Sequence, residues 1–87
     1  MDIARMVAHA VGDAVRRSEL EQTRAGQRVL ADQLAGLAIG LQENGAAPRS
    51  AVPLIRCWRR ILHAAEVAQR TAQAEHAARV AARADRP

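Results

Sequence analysis

The side chains capable of chemistry crowd into one stretch, Ser50-Ala51-Val52-Pro53-Leu54-Ile55-Arg56-Cys57-Trp58-Arg59-Arg60-Ile61-Leu62, which holds the single tryptophan, the single cysteine and three arginines. On a helix, Arg56, Arg60, His63 and Arg70 follow one another at spacings of four, three and seven, so they share a face, with Arg59 beside it and Arg49 just upstream. Guanidinium groups arrayed in this way bind phosphate or carboxylate oxygens through charge-assisted hydrogen bonds. Between Asn44 and Ala65 there are four arginines and no acid, whereas the remaining nine arginines are matched by nine acids, so the whole formal charge of +4 originates here. Four outcomes suit such a cluster: a nucleic-acid backbone, a strongly acidic protein surface, a solvated face that happens to lack acids, or ion pairs to carboxylates of the first helix, Asp32 and Glu43 among them, or of a second subunit. Nucleic-acid binding would also call for aromatic platforms or a recognition helix, and the sequence offers neither.

Trp58 reads either as the anchor of a core or as a half-exposed contact for a partner, a role in which tryptophan and arginine are enriched. Cys57 is expected to be a buried, inert thiol; a redox role would require exposure and a lowered pKa, which neighbouring arginines favour. The three histidines, His9, His63 and His76, lack the i,i+4 pairing or cysteine partners of a metal site, so no metal and no cofactor is expected. Ser18 and Ser50 have no histidine and carboxylate that can be placed beside them, and phosphate loops and dinucleotide fingerprints are absent. The chain is therefore read as a non-enzyme with no catalytic residues.

Holding these residues in place falls to helices alone. Apolar residues recur at three and four, never in sustained alternation. With 87 residues, no Phe and no Tyr, the core must be built from Leu, Ile, Val, Met and much Ala, and alanine contributes little apolar area. All thirteen cations are arginine, as GC-rich coding produces. A lone cysteine fits a reducing, cytoplasmic setting. No signal-like segment opens the sequence, and the most apolar run, Val29 to Leu41, is shorter than the roughly 20 residues a membrane span needs.

The expected architecture is all-α: residues 1–87 as one domain, an antiparallel two-helix hairpin with a long helix over about 2–43, a turn over 44–50 and a second helix over about 51–84. Asp2 caps the first helix, which carries the stripe Ile3, Met6, Val7, Val11, then a polar stretch from Arg16 to Arg28, then the seam Leu30, Leu34, Leu37, Leu41. A break near Gly26 competes with a continuous helix. Gly36 and Gly40, one turn apart, suggest close approach of another helix or room for Trp58. Gly45 ends the helix in a left-handed conformation, Ser50 caps the next and Pro53 fits its first turn.

Folding at the turn sets Leu41 near Ile55, Leu34 near Leu62 and Leu20 near His76. The polar stretch then faces the Ala-rich half of the second helix, and the first dozen residues overhang it, leaving Ile3, Met6, Val7 and Val11 uncovered. An uncovered stripe calls for a second copy, giving a homodimeric four-helix bundle or coiled-coil-like assembly. The tail Ala84 to Pro87 is expected to fray. The expected function is a bacterial or phage protein-protein interaction module, a small adaptor, regulator or chaperone-like protein. Its partner surface is Arg49, Arg56, Trp58, Arg59, Arg60 and His63 at the turn end, the stripe Ile3, Met6, Val7 and Val11, or both. The alternative is a nucleic-acid-binding regulator gripping through Arg56, Arg59 and Arg60.

Overall fold

Local signals along the chain specify three α-helices rather than two. The computed structural model describes residues 2–85; the part of the fraying expectation that concerns Arg86 and Pro87 lies outside the described residues. Helix α1 spans Ile3–Leu20, α2 spans Arg24–Glu43, a short 3-10 turn covers Pro48–Ala51, and α3 spans Val52–Ala84. No strand occurs among the described residues. Among the described residues no helix is long and apolar enough to cross a membrane.

Asp2 starts α1 as expected, its Oδ1 accepting from the backbone N–H groups of Ala4 at 3.0 Å and Arg5 at 3.4 Å. The continuous helix over 2–43 is corrected: the chain breaks at Glu21-Gln22-Thr23, just before the glycine at which a break seemed possible. Glu21 adopts extended backbone (φ −87°, ψ 123°), and Thr23 caps α2 by accepting from the N–H of Gly26. The Glu21 carboxylate accepts from both the N–H and the hydroxyl of Thr23, at 3.0 and 2.8 Å. The first of these bonds holds its pKa below the ordinary carboxylate value.

Gln27, buried to 4 % exposure, completes the corner. Its Nε2 donates to the carbonyls of Ser18 and Glu21, both at 2.8 Å, and its Oε1 accepts from the Ser18 hydroxyl at 2.6 Å. A helix C-terminus leaves its last carbonyls without intrahelical donors. The amide of Gln27 satisfies two carbonyls at the end of α1 and so ties it onto α2.

At the other end of α2 the left-handed glycine is found as expected. Gly45 has φ +76°, its N–H donates to the Gln42 carbonyl, and the N–H of Ala46 donates back to Leu41. This is the Schellman arrangement, which satisfies the last carbonyls of a helix. Asn44 adds a side-chain bond to the Gly40 carbonyl at 2.7 Å. The cap expected at Ser50 is corrected. Ser50 lies inside the 3-10 turn that Pro48 begins, and α3 starts at Val52 without a side-chain cap, with proline near its first position.

The core joins all three helices: Val7 and Ala14 of α1, Leu30, Ala31, Leu34 and Leu41 of α2, and Leu54, Cys57 and Ile61 of α3. The seam on α2 therefore holds at three of its four leucines; Leu37 is 41 % exposed. The overhanging stripe is corrected too. Val7 is 3 % exposed and belongs to the core, Met6 and Val11 pack against it, and Ile3 remains 39 % exposed. Because the break turns α1 back, those residues find cover inside the chain.

Leu20 does not reach His76; it stands 83 % exposed at the corner. Gln22 and Gln27 border an open depression whose other wall is Ala68, Thr71, Ala72 and Glu75 of α3. From Gln69 to Asp85 every residue of α3 is exposed. The molecule measures 66 × 19 × 14 Å along its principal axes.

Candidate interaction surface

The turn end of the molecule is where the chemically capable residues meet. Helix α3 buries Leu54, Cys57, Ile61 and Ala65, at spacings of three and four, which fixes the direction of every other side chain on it. Arg56, Arg60 and His63, again at four and three, are thereby carried to its solvent side, and all are exposed, as are Arg49 and Arg59. Arg60 borders a small hollow against α1 with Val15, Ser18 and Glu19. Among the described residues the only ion pairs join Asp13 to Arg16 and Arg17. The pairing of the cluster with Asp32 or Glu43 is absent, and the charge of Arg49, Arg56, Arg59 and Arg60 faces solvent unneutralised.

Trp58 is half-buried, at the edge of the core rather than its centre. It forms part of two depressions that lie end to end between α2 and α3. One, of about 460 Å³ at the turn, is lined by Leu34, Ala38, Ile39, Pro48, Ala51, Leu54 and Ile55 among others, with Gln42 the one polar residue in its wall. The other, of about 350 Å³, has Arg24, Arg28, Asp32, Leu62, Glu66 and Gln69 in its walls. No residue of α1 contributes to either. Trp58 thus links an apolar hollow to a charged one on the side of α2 and α3 that α1 leaves open.

The remaining expected residues are placed elsewhere. Met6, Val7 and Val11 belong to core packing and Ile3 stands exposed on α1, none of them at this surface. Cys57 is buried at 5 % exposure; burial pushes its thiol pKa up, against a smaller opposing pull from Arg60. Such a thiol is poorly nucleophilic. Ser18 spends its hydroxyl on Gln27. His9 on α1 and His63 and His76, thirteen residues apart on α3, are all exposed, and among the described residues no three His, Cys, Asp or Glu side chains converge as metal ligands would.

Gly36 and Gly40 do not approach another helix or Trp58. A Cβ at either would meet nothing within 4 Å. Sequence reasoning missed the apolar hollow itself. The signal lay in Ala35, Ala38, Ile39 and Gln42, a second set at three and four beside the leucine seam that broadens the apolar face of α2. Comparison with protein-family models, with curated proteins and with solved structures finds no match to this chain.

Proposed function

We propose that the chain is a non-enzymatic protein-protein interaction module, a small adaptor, regulator or chaperone-like protein, whose partner surface is the turn end of α2 and α3. One observation carries this reading: exposed Ile39 and Ile55 lie around a half-buried Trp58, next to arginines that no acid of the described residues neutralises. A protein of this size has few apolar side chains to spare for solvent. Aromatic and arginine side chains together are the types enriched in the energetic centres of interfaces.

Self-association through the N-terminal stripe loses its motive, because the chain covers that stripe itself. A homodimer through the turn end remains open to measurement by sedimentation equilibrium. The second reading, a nucleic-acid-binding regulator, draws support from the solvent-side row Arg56, Arg60 and His63.

Photo-reactive residues placed at positions 55, 56 and 78 and irradiated in the cells of origin separate the two. Protein adducts at 55 but not at 78 support the interaction module. Nucleic-acid adducts at 56 support the alternative, and equal labelling at 55 and 78, or none, overturns the proposed surface.

A further inference from the structure

The side of α3 turned away from α1 and α2 carries a surface of its own. We propose that this face lies on an anionic phospholipid surface, with its arginines at the lipid phosphates and Val52 and Ile55 in the headgroup layer. The inference goes beyond the interaction-module reading and does not depend on it.

Burial fixes the face. Leu54, Cys57, Ile61 and Ala65 point into the bundle; at about 3.6 residues per turn, Val52, Arg56, Arg59, His63 and Arg70 lie opposite them within an arc of about 60°. Ile55 flanks this arc. All six are exposed, Val52 at 39 % and Ile55 at 41 %. From Val52 to Arg70 the strip runs about 27 Å at 1.5 Å per residue, and Arg49 precedes it in the 3-10 turn.

The charge of the strip is one-sided. Arg56, Arg59 and Arg70 share it with a single acid, Glu66, at its margin, and none of the three arginines is paired among the described residues. Cations gathered in this way are attracted to a surface dense in phosphate.

The aliphatic side chains choose among anionic partners. Nucleic acid is gripped by hydrogen-bonding side chains on phosphate and sugar, and Val52 and Ile55 would stay in water between them. For an acidic protein, a ridge about 27 Å long and one helix wide, about 10 Å, gives a footprint of about 270 Å², well short of the roughly 800 Å² per partner of a stable interface. Lipid closes round a ridge. It takes aliphatic side chains into the headgroup layer, while arginine stems lie along it with their guanidinium groups at the phosphates. With two aliphatics against several arginines, attachment is chiefly electrostatic and is reversed by salt.

Flotation of the full chain with vesicles tests this. Vesicles of equal parts phosphatidylcholine and phosphatidylglycerol are expected to carry the chain at low salt and release it as salt rises, and phosphatidylcholine alone should not bind it. Arg56→Gln with Arg59→Gln should lower partitioning about 25-fold, at about fivefold for each arginine near the surface. Arg24→Gln with Arg28→Gln removes the same charge from α2, outside the strip, and should have a much smaller effect. Val52→Ser, at an exposed position, should keep the helical circular dichroism and lower partitioning about fivefold, as partial removal of a valine side chain from water implies.

No partitioning into the anionic vesicles, or equal partitioning into the neutral ones, would overturn the proposal. Equal effects of the two arginine pairs would also overturn it, because net charge rather than this face would then be responsible. So would an unchanged Val52→Ser, which leaves only a generic contact with polyanions, or tighter binding to a short DNA duplex than to anionic vesicles, which favours the nucleic-acid reading.

Discussion

The inner and outer halves of α3 are one helix with two fates. From Val52 to Ala68 it carries Leu54, Trp58, Ile61 and Leu62, and two other helices lie against it; from Gln69 to Ala84 its apolar residues are alanines and Val80, and every residue is exposed. Helix propensity is high in both halves, so propensity does not account for the contrast. Area does. Burial gains about 25 cal/mol per Å², and an alanine methyl offers too little area to offset the ordering of a neighbouring segment. The inner half recruits α1 and α2 because its side chains are large, and the outer half stays a lone helix because its side chains are small.

The broadest way to break this contrast is to shorten one side chain in each half. Ile61, 1 % exposed, sits where three helices meet, and Ile61→Ala is expected to cost about 2 to 5 kcal/mol. In an 87-residue chain a loss of that size consumes much of the total stability. Val80 is 50 % exposed, and Val80→Ala should stay within about 0.5 kcal/mol. Urea denaturation followed by circular dichroism compares them directly. Similar losses at both positions would mean that the outer half is covered in solution and that the contrast is wrong.

The next largest effect tests why α1 belongs to the inner half at all. Gln27→Ala removes the amide that receives the Ser18 hydroxyl and supplies donors to the Ser18 and Glu21 carbonyls. Leaving buried polar groups without partners costs about 1 to 3 kcal/mol. Hydrogen exchange should show the loss concentrated in α1, with α2 and the inner half of α3 keeping more of their protection. Uniform loss across all three helices would show that the corner is not what ties α1 down.

How much of this was legible in the residues follows the same division by side-chain size and kind. The leucine seam, the capping Asp2 and the left-handed Gly45 are strong local signals, and the structure has the last two in full and the seam at Leu30, Leu34 and Leu41. The break at Glu21 to Thr23 was legible only as a competing possibility at Gly26, because the break itself contains neither proline nor glycine. It is made by side chains bonding to backbone, Thr23 to Gly26 and Gln27 to Ser18 and Glu21, and such bonds have no periodicity to read. Preferring the continuous helix left Val7 and Val11 looking uncovered, and the case for a second copy from that stripe went with it. The clustering of Arg56, Arg60 and His63 on one solvent face was readable from spacing, whereas the apolar hollow beside Trp58 needed the relative placement of α2, the turn and α3.

The smallest expected effect concerns the outward side of α2, where small residues again mark the absence of a neighbour. Gly36 is exposed, and a Cβ there would meet nothing within 4 Å. Replacing a glycine inside a helix by alanine removes backbone freedom from the unfolded chain, so Gly36→Ala is expected to stabilise the protein by about 0.5 to 1 kcal/mol. Gly26 supplies the control of opposite sign. A Cβ there collides with the Glu21 carboxylate, so Gly26→Ala must displace the side chain that braces Thr23, and it should gain nothing or lose stability. Thermal melts of the two variants give the comparison. If Gly36→Ala destabilises instead, its face is in contact with another molecule in solution, and the division between covered and open sides of this bundle has to be redrawn around α2.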